Sequence, residues 1–380
     1  MTVQDVVVHP EVSGPAESEY PAVRIPYGHQ VIEEDDIEAV LAVLRSDRIT
    51  QGPAVAAFED LLAATTGARH AVAFSSGTSA LHAACTVAGF KAGDQVGTSA
   101  LSFVASANAI RYTGAEPVLL DVDPSTLNGT VDRLPADWAG AVIVHFAGLP
   151  AALPDRQPGQ VLIEDAAHAL GAQTAEGPVG NCARSDLCCF SFHPVKAVTT
   201  GEGGAVTTNS ATLAAALRRV RNHGMTPAPA VGGWAYDVTD LGWNYRLTDL
   251  QAALGHSQLG KLEHFIARRN ELAQRYRAAL AGSPVILPPA ATVGVRHAYH
   301  LFVVQVARRD QVYDRLRRAG IGVQVHYIPI YRHTLYRDRW SSNGFPGIET
   351  VADRLLSLPL YSGLGDDDQD EVVRHLAEAL

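Results

Sequence analysis

Apolar positions along this chain follow two periods that alternate. Between residues 32 and 44, Ile37, Val40, Leu41 and Leu44 recur at helical spacing, the stripe of an amphipathic helix. A second helical run covers 55–65 and meets Gly67, a residue type that readily ends a helix in the left-handed conformation. From 71 to about 208 the pattern changes. Short apolar runs at 71–74, 95–98, 117–121, 141–145, 161–164, 187–192 and 205–208 are separated by helical segments or turns. Such runs read as buried strands, and strands alternating with crossovers predict a mainly parallel, helix-covered α/β sheet.

A loop with Gly and Pro follows at 225–242, then a long helical stretch over 248–281. The remainder predicts a strand at 299–306, a helix at 311–318, a strand at 322–326 and a C-terminal helix at 368–379, a small α+β unit. Residues 1–22 are polar and proline-containing with neither period, which predicts a flexible extension. The expected organisation is therefore an extension at 1–22, a large domain at 23–260 and a small C-terminal domain at 261–380.

Composition narrows the class. Hydrophobic content of 47% and charged content of 18% over 380 residues are those of a globular protein with a substantial core. The net charge of −10 argues against nonspecific nucleic-acid binding and against anionic membranes. No run approaches ~18 apolar residues, and no basic-then-apolar leader opens the chain, so no membrane span is expected and the location is cytoplasmic. Cys85, Cys182, Cys188 and Cys189 form no CxxC pair; they read as small buried hydrophobes in a reducing compartment. No metal site is expected.

Three segments carry candidate chemistry. In Ser191-Phe-His-Pro-Val-Lys196, running on to Gly204, a lysine follows a β-prone run and precedes a glycine-dense turn. A partly desolvated lysine there can lose its proton near neutral pH and attack a carbonyl, the chemistry of a Schiff-base lysine; taken alone, the segment fits a surface turn equally well. Val161-Leu-Ile-Glu-Asp-Ala-Ala-His168 is a buried strand ending in two carboxylates, at the edge where open α/β sheets bind ligands. Asp165 can keep a pyridine nitrogen protonated, while Glu164 points to the other face. Alone, Asp165 is also a plausible helix N-cap. His168 can reach a phenolic oxygen or the aspartate. Ala71 to His82 reads as strand, Ser/Gly/Thr turn and helix. Gly77, Thr78 and Ser79 at that helix start form a candidate anion cradle, to which Ser191 can add a hydroxyl. No Gly-Lys-Ser/Thr closes the turn, which disfavours a nucleoside triphosphate.

These motifs, in this order, resemble the DegT/DnrJ/EryC1/StrS aminotransferases. The resemblance extends through Gly242-Trp-Asn-Tyr-Arg-Leu-Thr-Asp and His297-Ala-Tyr-His-Leu301 to Gly322-Val-Gln-Val-His-Tyr-Ile-Pro329, over roughly residues 24 to 380. It implies a fold-type I transferase, with a seven-stranded large domain, that uses pyridoxal 5'-phosphate and L-glutamate to aminate a nucleotide-linked keto-sugar through a Lys196 Schiff base. Pro26-Tyr-Gly, Thr50-Gln-Gly-Pro53 and Val325-His-Tyr-Ile-Pro329 look most like the 4-aminotransferases of pseudaminic acid biosynthesis, which make UDP-4-amino-4,6-dideoxy-N-acetyl-altrosamine. By the same resemblance Phe103 stacks on the cofactor ring, and Asn244 reaches the phosphate of a partner subunit's cofactor in a homodimer with shared sites. Tyr27, Arg246, His326 and Tyr327 face substrate.

Two departures widen the substrate choice. Arg48-Ile49 precedes Thr50 where the family has an aromatic residue, and 149–161 is short, with prolines at 150, 154 and 158. Another natural-product keto-sugar or cyclic ketone is the alternative. Sugar 3-dehydratases on this scaffold replace the lysine with histidine, and a non-catalytic homologue would lack Lys196 or Asp165; both residues are present here.

Overall fold

The computed structural model describes residues 20–380, so most of the extension expected at 1–22 lies outside the described residues. Seven strands form one sheet: β1 (His70–Phe74), β2 (Gln95–Ser99), β3 (Glu116–Leu120), β4 (Gly140–Val144), β5 (Val161–Asp165), β6 (Leu187–Ser191) and β7 (Gly204–Thr208). Each matches an expected strand to within one residue at either end. Their spatial order is β1-β7-β6-β5-β4-β2-β3. β7 runs antiparallel to β1 and β6, and the other neighbouring pairs are parallel. The expected α/β architecture with a mainly parallel seven-stranded sheet is therefore present.

Helices cover both faces: α1 (Glu34–Leu44), α2 (Pro53–Thr66), α3 (Gly77–Val87), α4 (Ala105–Tyr112), α5 (Ala211–Arg221), α6 (Asp249–Gly260) and α7 (Leu262–Ala279). Successive strand side chains point to opposite faces, which sorts the core into two layers. Val72, Phe74, Val142, Ile163, Cys189 and Val206 pack with α3, α4 and α5. Ala71, Ala73, Cys188, Phe190 and Ala205 pack with α2, α6 and the first half of α7. All four cysteines are buried and unpaired. Between β4 and β5 no crossover helix forms; Ala151 and Leu153 of the proline-bearing connection cover Ala141, Ile143 and Leu162 instead.

The C-terminal part pairs β8 (Phe302–Gln305) antiparallel with β9 (Leu355–Leu358), flanked by α8 (Arg309–Arg318), α9 (Pro346–Val351) and α10 (Asp366–Ala379). Its core takes Leu272 and Tyr276 from α7 and Ile25 from the start of the described chain. A further cluster, including Leu101, Phe146, Leu301, Ile330 and Tyr336, packs this part against the sheet's edge. No helix among the described residues is long and apolar enough to cross a membrane.

Two expected elements differ. The helix over 248–281 is two helices, because Lys261 leaves helical geometry (φ −101°, ψ 0°) and its N–H closes on the carbonyls of Gln258 and Leu259. Gly260, a poor helix former, precedes it. The strand at 322–326 does not form a ladder. Gln324 makes one bridge to Ser357, on the edge of β9 away from β8, and Gly322 N–H donates to the Ile25 carbonyl at 2.6 Å, so the segment divides its bonds between two neighbours.

Candidate active site

Register places the expected groups at one edge of the sheet. Phe74 pairs with Gly204, Gly204 with Ser191, and Val144 with Asp165, so strand ends from β1, β6, β5 and β4 meet there. A cavity of about 430 Å³ opens at this edge, and Gly77, Asp165, Ser191, Lys196, His300 and Tyr327 are among its walls. Tyr27, Thr78, Phe103, His168 and His326, all expected from the sequence, line it too.

Lys196 stands on a tight loop between β6 and β7. Its N–H donates to the His193 carbonyl at 2.9 Å, and Phe192 and Gly203 bond across the loop base at 2.9 Å. The half-buried side chain opens onto the cavity. Burial, which disfavours the ammonium, pushes its pKa down to about 8; the Asp165 charge opposes this shift and Arg269 adds to it. At pH 7 about a tenth of such an amine is free base, far more than for a solvated lysine. The place of Lys196 on the cavity wall, half-buried, argues against the surface-turn reading.

Asp165 ends β5 almost fully buried. Its Oδ2 accepts from the Ser106 hydroxyl at 2.7 Å and its Oδ1 from the Ala167 N–H at 3.2 Å. Glu164 points to the other side, as the strand period requires, and its Oε2 lies 2.7 Å from His145 Nε2. His168 accepts from the Ala147 N–H at Nδ1, 3.3 Å, and its Nε2 sits 3.0 Å from the Tyr327 hydroxyl. Burial, with the Lys196 charge, holds the His168 pKa well below its ordinary value. The ring is therefore neutral with its proton on Nε2, and it donates to Tyr327. His326 is likewise pushed down, to about 3, by burial and by Lys196; its Nδ1 lies 2.8 Å from Ser357 Oγ.

The cradle forms at the start of α3. Its first N–H groups have no intrahelical acceptor. Ser76 caps the helix by accepting from Ser79 N–H at 3.1 Å, which leaves the N–H groups of Gly77 and Thr78 beside the cavity. A Cβ on Gly77 would come within 2.8 Å of Ser191 Cβ, and one on Gly204 within 2.3 Å of the Ser76 carbonyl oxygen. Only glycine allows these loops so close.

Ser79 itself does not line the cavity. Its buried hydroxyl donates to the Ser76 carbonyl at 2.8 Å and accepts from the Ser76 N–H at 2.9 Å, a reciprocal cap that uses up the expected ligand. Arg246 is also absent from the lining, because its Nη1 donates to Asn222 Oδ1 at 2.7 Å. Asn244 is exposed and bridges Asn222 outside the cavity. Phe103 is 56% exposed, too open for a core residue, with its ring 6.0 Å from that of Tyr327. Sequence reasoning missed Ser106, the partner of Asp165, and His300, whose Nε2 lies 3.3 Å from Lys196 Nζ. His300 lies inside the segment quoted from His297 to Leu301, where a polar residue ahead of an apolar run was the available signal; Ser106, among small and polar neighbours, offered none. Among the described residues, no group of His, Cys, Asp and Glu could hold a metal ion.

Comparison with known proteins gives one family. A model described as the DegT/DnrJ/EryC1/StrS aminotransferase family matches residues 30–377. The chain is 37% identical over 372 residues to the spore coat polysaccharide biosynthesis protein SpsC of Bacillus subtilis (strain 168), covering 92% of this chain and 95% of that protein. Among solved structures it is similar to the PMP form of Spr1654 from Streptococcus pneumoniae, with TM-score 0.87, 26% identity, and 93% and 98% of the two chains covered. It is also similar to Helicobacter pylori PseC, an aminotransferase involved in the biosynthesis of pseudoaminic acid, with TM-score 0.86, 28% identity, and 93% and 98% covered.

Proposed function

Because the chain belongs to the DegT/DnrJ/EryC1/StrS aminotransferase family, and is thereby a pyridoxal-phosphate-dependent transaminase of fold type I, we propose that it moves an amino group from L-glutamate to C4 of a nucleotide-linked keto-sugar. The observation that carries the reading is the placement of Lys196, a half-buried amine that shares one cavity with a buried carboxylate and with the residues at the start of α3.

The residues present fit the cofactor. Gly77 and Thr78 N–H groups and the Ser191 hydroxyl would hold its phosphate, Asp165 its ring nitrogen, and Phe103 one face of its ring. When bound, pyridoxal phosphate supplies a carbonyl for amines and a conjugated ring that takes up an electron pair. The chain supplies the rest. Lys196 presents a free amine and, once released, carries a proton at Nζ to and from the reacting carbon. Asp165, fixed by Ser106 and the Ala167 N–H, would keep a proton on the cofactor's ring nitrogen. Neutral His168 fixes the Tyr327 hydroxyl at the cavity wall, and Tyr27, whose ring lies 5.4 Å from His326, extends that wall toward substrate.

Relatives support a sugar substrate: SpsC is named for polysaccharide biosynthesis and PseC for pseudoaminic acid. Arg48 and the shortened 149–161 connection favour the second reading, another natural-product keto-sugar or a cyclic ketone. Dehydration is disfavoured by the presence of Lys196. We also propose that Asn244, exposed on the single chain, serves the phosphate site of a second copy, which makes the active sites shared in a homodimer. The buried, unpaired cysteines suit a reducing cytoplasm.

The test is to supply UDP- and dTDP-linked 4-keto sugars with L-glutamate and to follow amino-sugar and 2-oxoglutarate by mass spectrometry. Turnover of no keto-sugar overturns the substrate class. Independently, the protein with cofactor absorbs near ~420 nm, and Lys196→Ala abolishes that band; a band that survives the substitution removes Lys196 from its role.

A further inference from the structure

His300 is the one side chain, among the described residues, hydrogen-bonded to Lys196 Nζ, with 3.3 Å between Nζ and Nε2. The reaction as proposed gives it no role. It is buried and held rigidly. Arg269, itself buried, donates through Nη1 to the carbonyls of Tyr299 and His300, both at 3.3 Å, and to that of Leu360 at 2.9 Å. The His168 ring centre lies 4.4 Å from that of His300. The other ring nitrogen, Nδ1, is buried and has no hydrogen-bond partner among the described residues.

That unpartnered atom decides the tautomer. A neutral imidazole carries one N–H and one lone pair. A proton on Nδ1 would be a buried donor without an acceptor, the costlier kind of unsatisfied group, whereas a bare Nδ1 leaves only an unused lone pair. The doubly protonated ring is excluded, because burial, Lys196, His168, Arg269 and His326 all hold the His300 pKa well below its ordinary value. The proton therefore sits on Nε2 and points at Nζ. An ammonium has no lone pair to accept it; a free amine does.

We propose that His300 is a catalytic residue which, as its Nε2–H tautomer, donates to the free amine of Lys196 and so selects the nucleophilic form over the ammonium. This rests on Lys196 being the reactive lysine. It gives the Lys196 proton a direction. Whenever Nζ takes up a proton, two donors face each other across 3.3 Å, and passing the proton back to the reacting carbon relieves the conflict. The charged and titratable groups on the cavity around Nζ are Asp165 at the end of β5, His168 after β5, His193 and Glu202 on the loop that carries Lys196, and Tyr27, His300, His326 and Tyr327, with Arg269 of α7 behind them. Of these, the Asp165 charge is the one that acts on Lys196 in favour of the ammonium.

Two measurements on the cofactor-free protein test the proposal without any ketone or amino donor, so it can fail while the substrate reading stands, and the reverse. Long-range proton–nitrogen NMR spectra report each histidine tautomer, with His300 identified by the signals lost in His300→Phe. A protonated Nε2 with a bare Nδ1 from about pH 7 to about pH 9 is expected; a protonated Nδ1 overturns the proposal. The second measurement uses the scarcity of lysine. Lys91, Lys196 and Lys261 are the only lysines in the chain, so competitive acetylation followed by peptide mass spectrometry reads Lys196 ionisation against exposed Lys91. His300→Phe raises the Lys196 midpoint by about one pH unit, a tenfold loss of free base, while His300→Gln, which can place an N–H at the same point, restores most of it. A midpoint unmoved or lowered in His300→Phe overturns the proposal. If His300→Phe does not fold, His300→Gln identifies the NMR signals and the wild-type tautomer decides.

Discussion

Lys261 sits where α6 meets α7, with its Nζ 3.0, 2.6 and 2.9 Å from carboxylate oxygens of Glu33, Asp35 and Asp36. Lys196 sits at the sheet edge, with its Nζ facing a neutral imidazole nitrogen and, among the described residues, no carboxylate in ion-pair contact. Burial works against the ammonium at both places. At Lys261 three carboxylates overcome it and push the pKa above the ordinary value; at Lys196 one more distant carboxylate does not, and the pKa falls to about 8. The same side chain becomes a clamp joining α1 to the helical junction in one region and a reactive amine in the other. Proximity of counter-charge and depth of burial together separate the two.

Substitutions can break or sharpen that contrast. The largest effect is expected from Asp165→Asn, which removes the one charge that supports the Lys196 ammonium along with the partner of the ring nitrogen. Turnover falls by about 10³, measured as kcat with the best keto-sugar, and the Lys196 midpoint drops further. Lys261→Met comes next. It leaves three carboxylates, one of them fully buried, without their cation, and should destabilise the protein by about 2–4 kcal/mol by denaturant unfolding.

Lys196→Met should act with the opposite sign. A folded-state pKa below the ordinary 10.5 means the folded protein binds that proton less well than the unfolded chain does. The penalty is full below about pH 8, shrinks as pH rises from there to 10.5, and is absent above. Cofactor-free Lys196→Met is therefore more stable by about 1–3 kcal/mol at pH 7, and the gain disappears on the alkaline side. The Lys261 contribution has the other profile: complete below its unfolded pKa of 10.5 and lost as pH rises through its higher folded value. Equal pH profiles for the two methionine variants would erase the distinction. The smallest effect on turnover is expected from Ser106→Ala, which removes one hydrogen bond from Asp165 and should lower kcat about tenfold, with a loss of about 1 kcal/mol in stability because a buried carboxylate oxygen loses its donor.

The sheet was legible because strands buried on both faces are written as continuous apolar runs, and all seven appear at their expected places. Lys196, Asp165 and the Gly77–Thr78 turn were legible because each breaks an apolar pattern at a strand end. What escaped was set by distance along the chain. Ser106 meets an aspartate 59 residues away, and locally it is one more small polar residue on α4. His300 meets a lysine 104 residues away, and only the packing of Arg269 on its backbone gives its ring a direction. Ser79 shows the converse: a Ser-x-x-Ser turn at a helix start reads as a ligand and as a cap with equal ease, and three-dimensional geometry assigned it to the cap.

The reversal of β7 has a consequence for how the reactive lysine is tethered. β6 and β7 are antiparallel neighbours, with Ser191 paired to Gly204, so the chain between them leaves and re-enters the sheet at a single edge. A parallel connection would have had to carry the chain back to the far end of the sheet, usually through a crossover helix; here the chain from 192 to 203 turns back at the same edge without one. The loop is clipped at both ends to one pair of strands, while Asp165, His300 and the α3 cradle sit on other elements. It is also braced from outside the sheet: Gln251 Nε2 of α6 donates to the Glu202 carbonyl at 2.7 Å, so the backbone that carries Lys196 is held from a strand pair and from a helix at once.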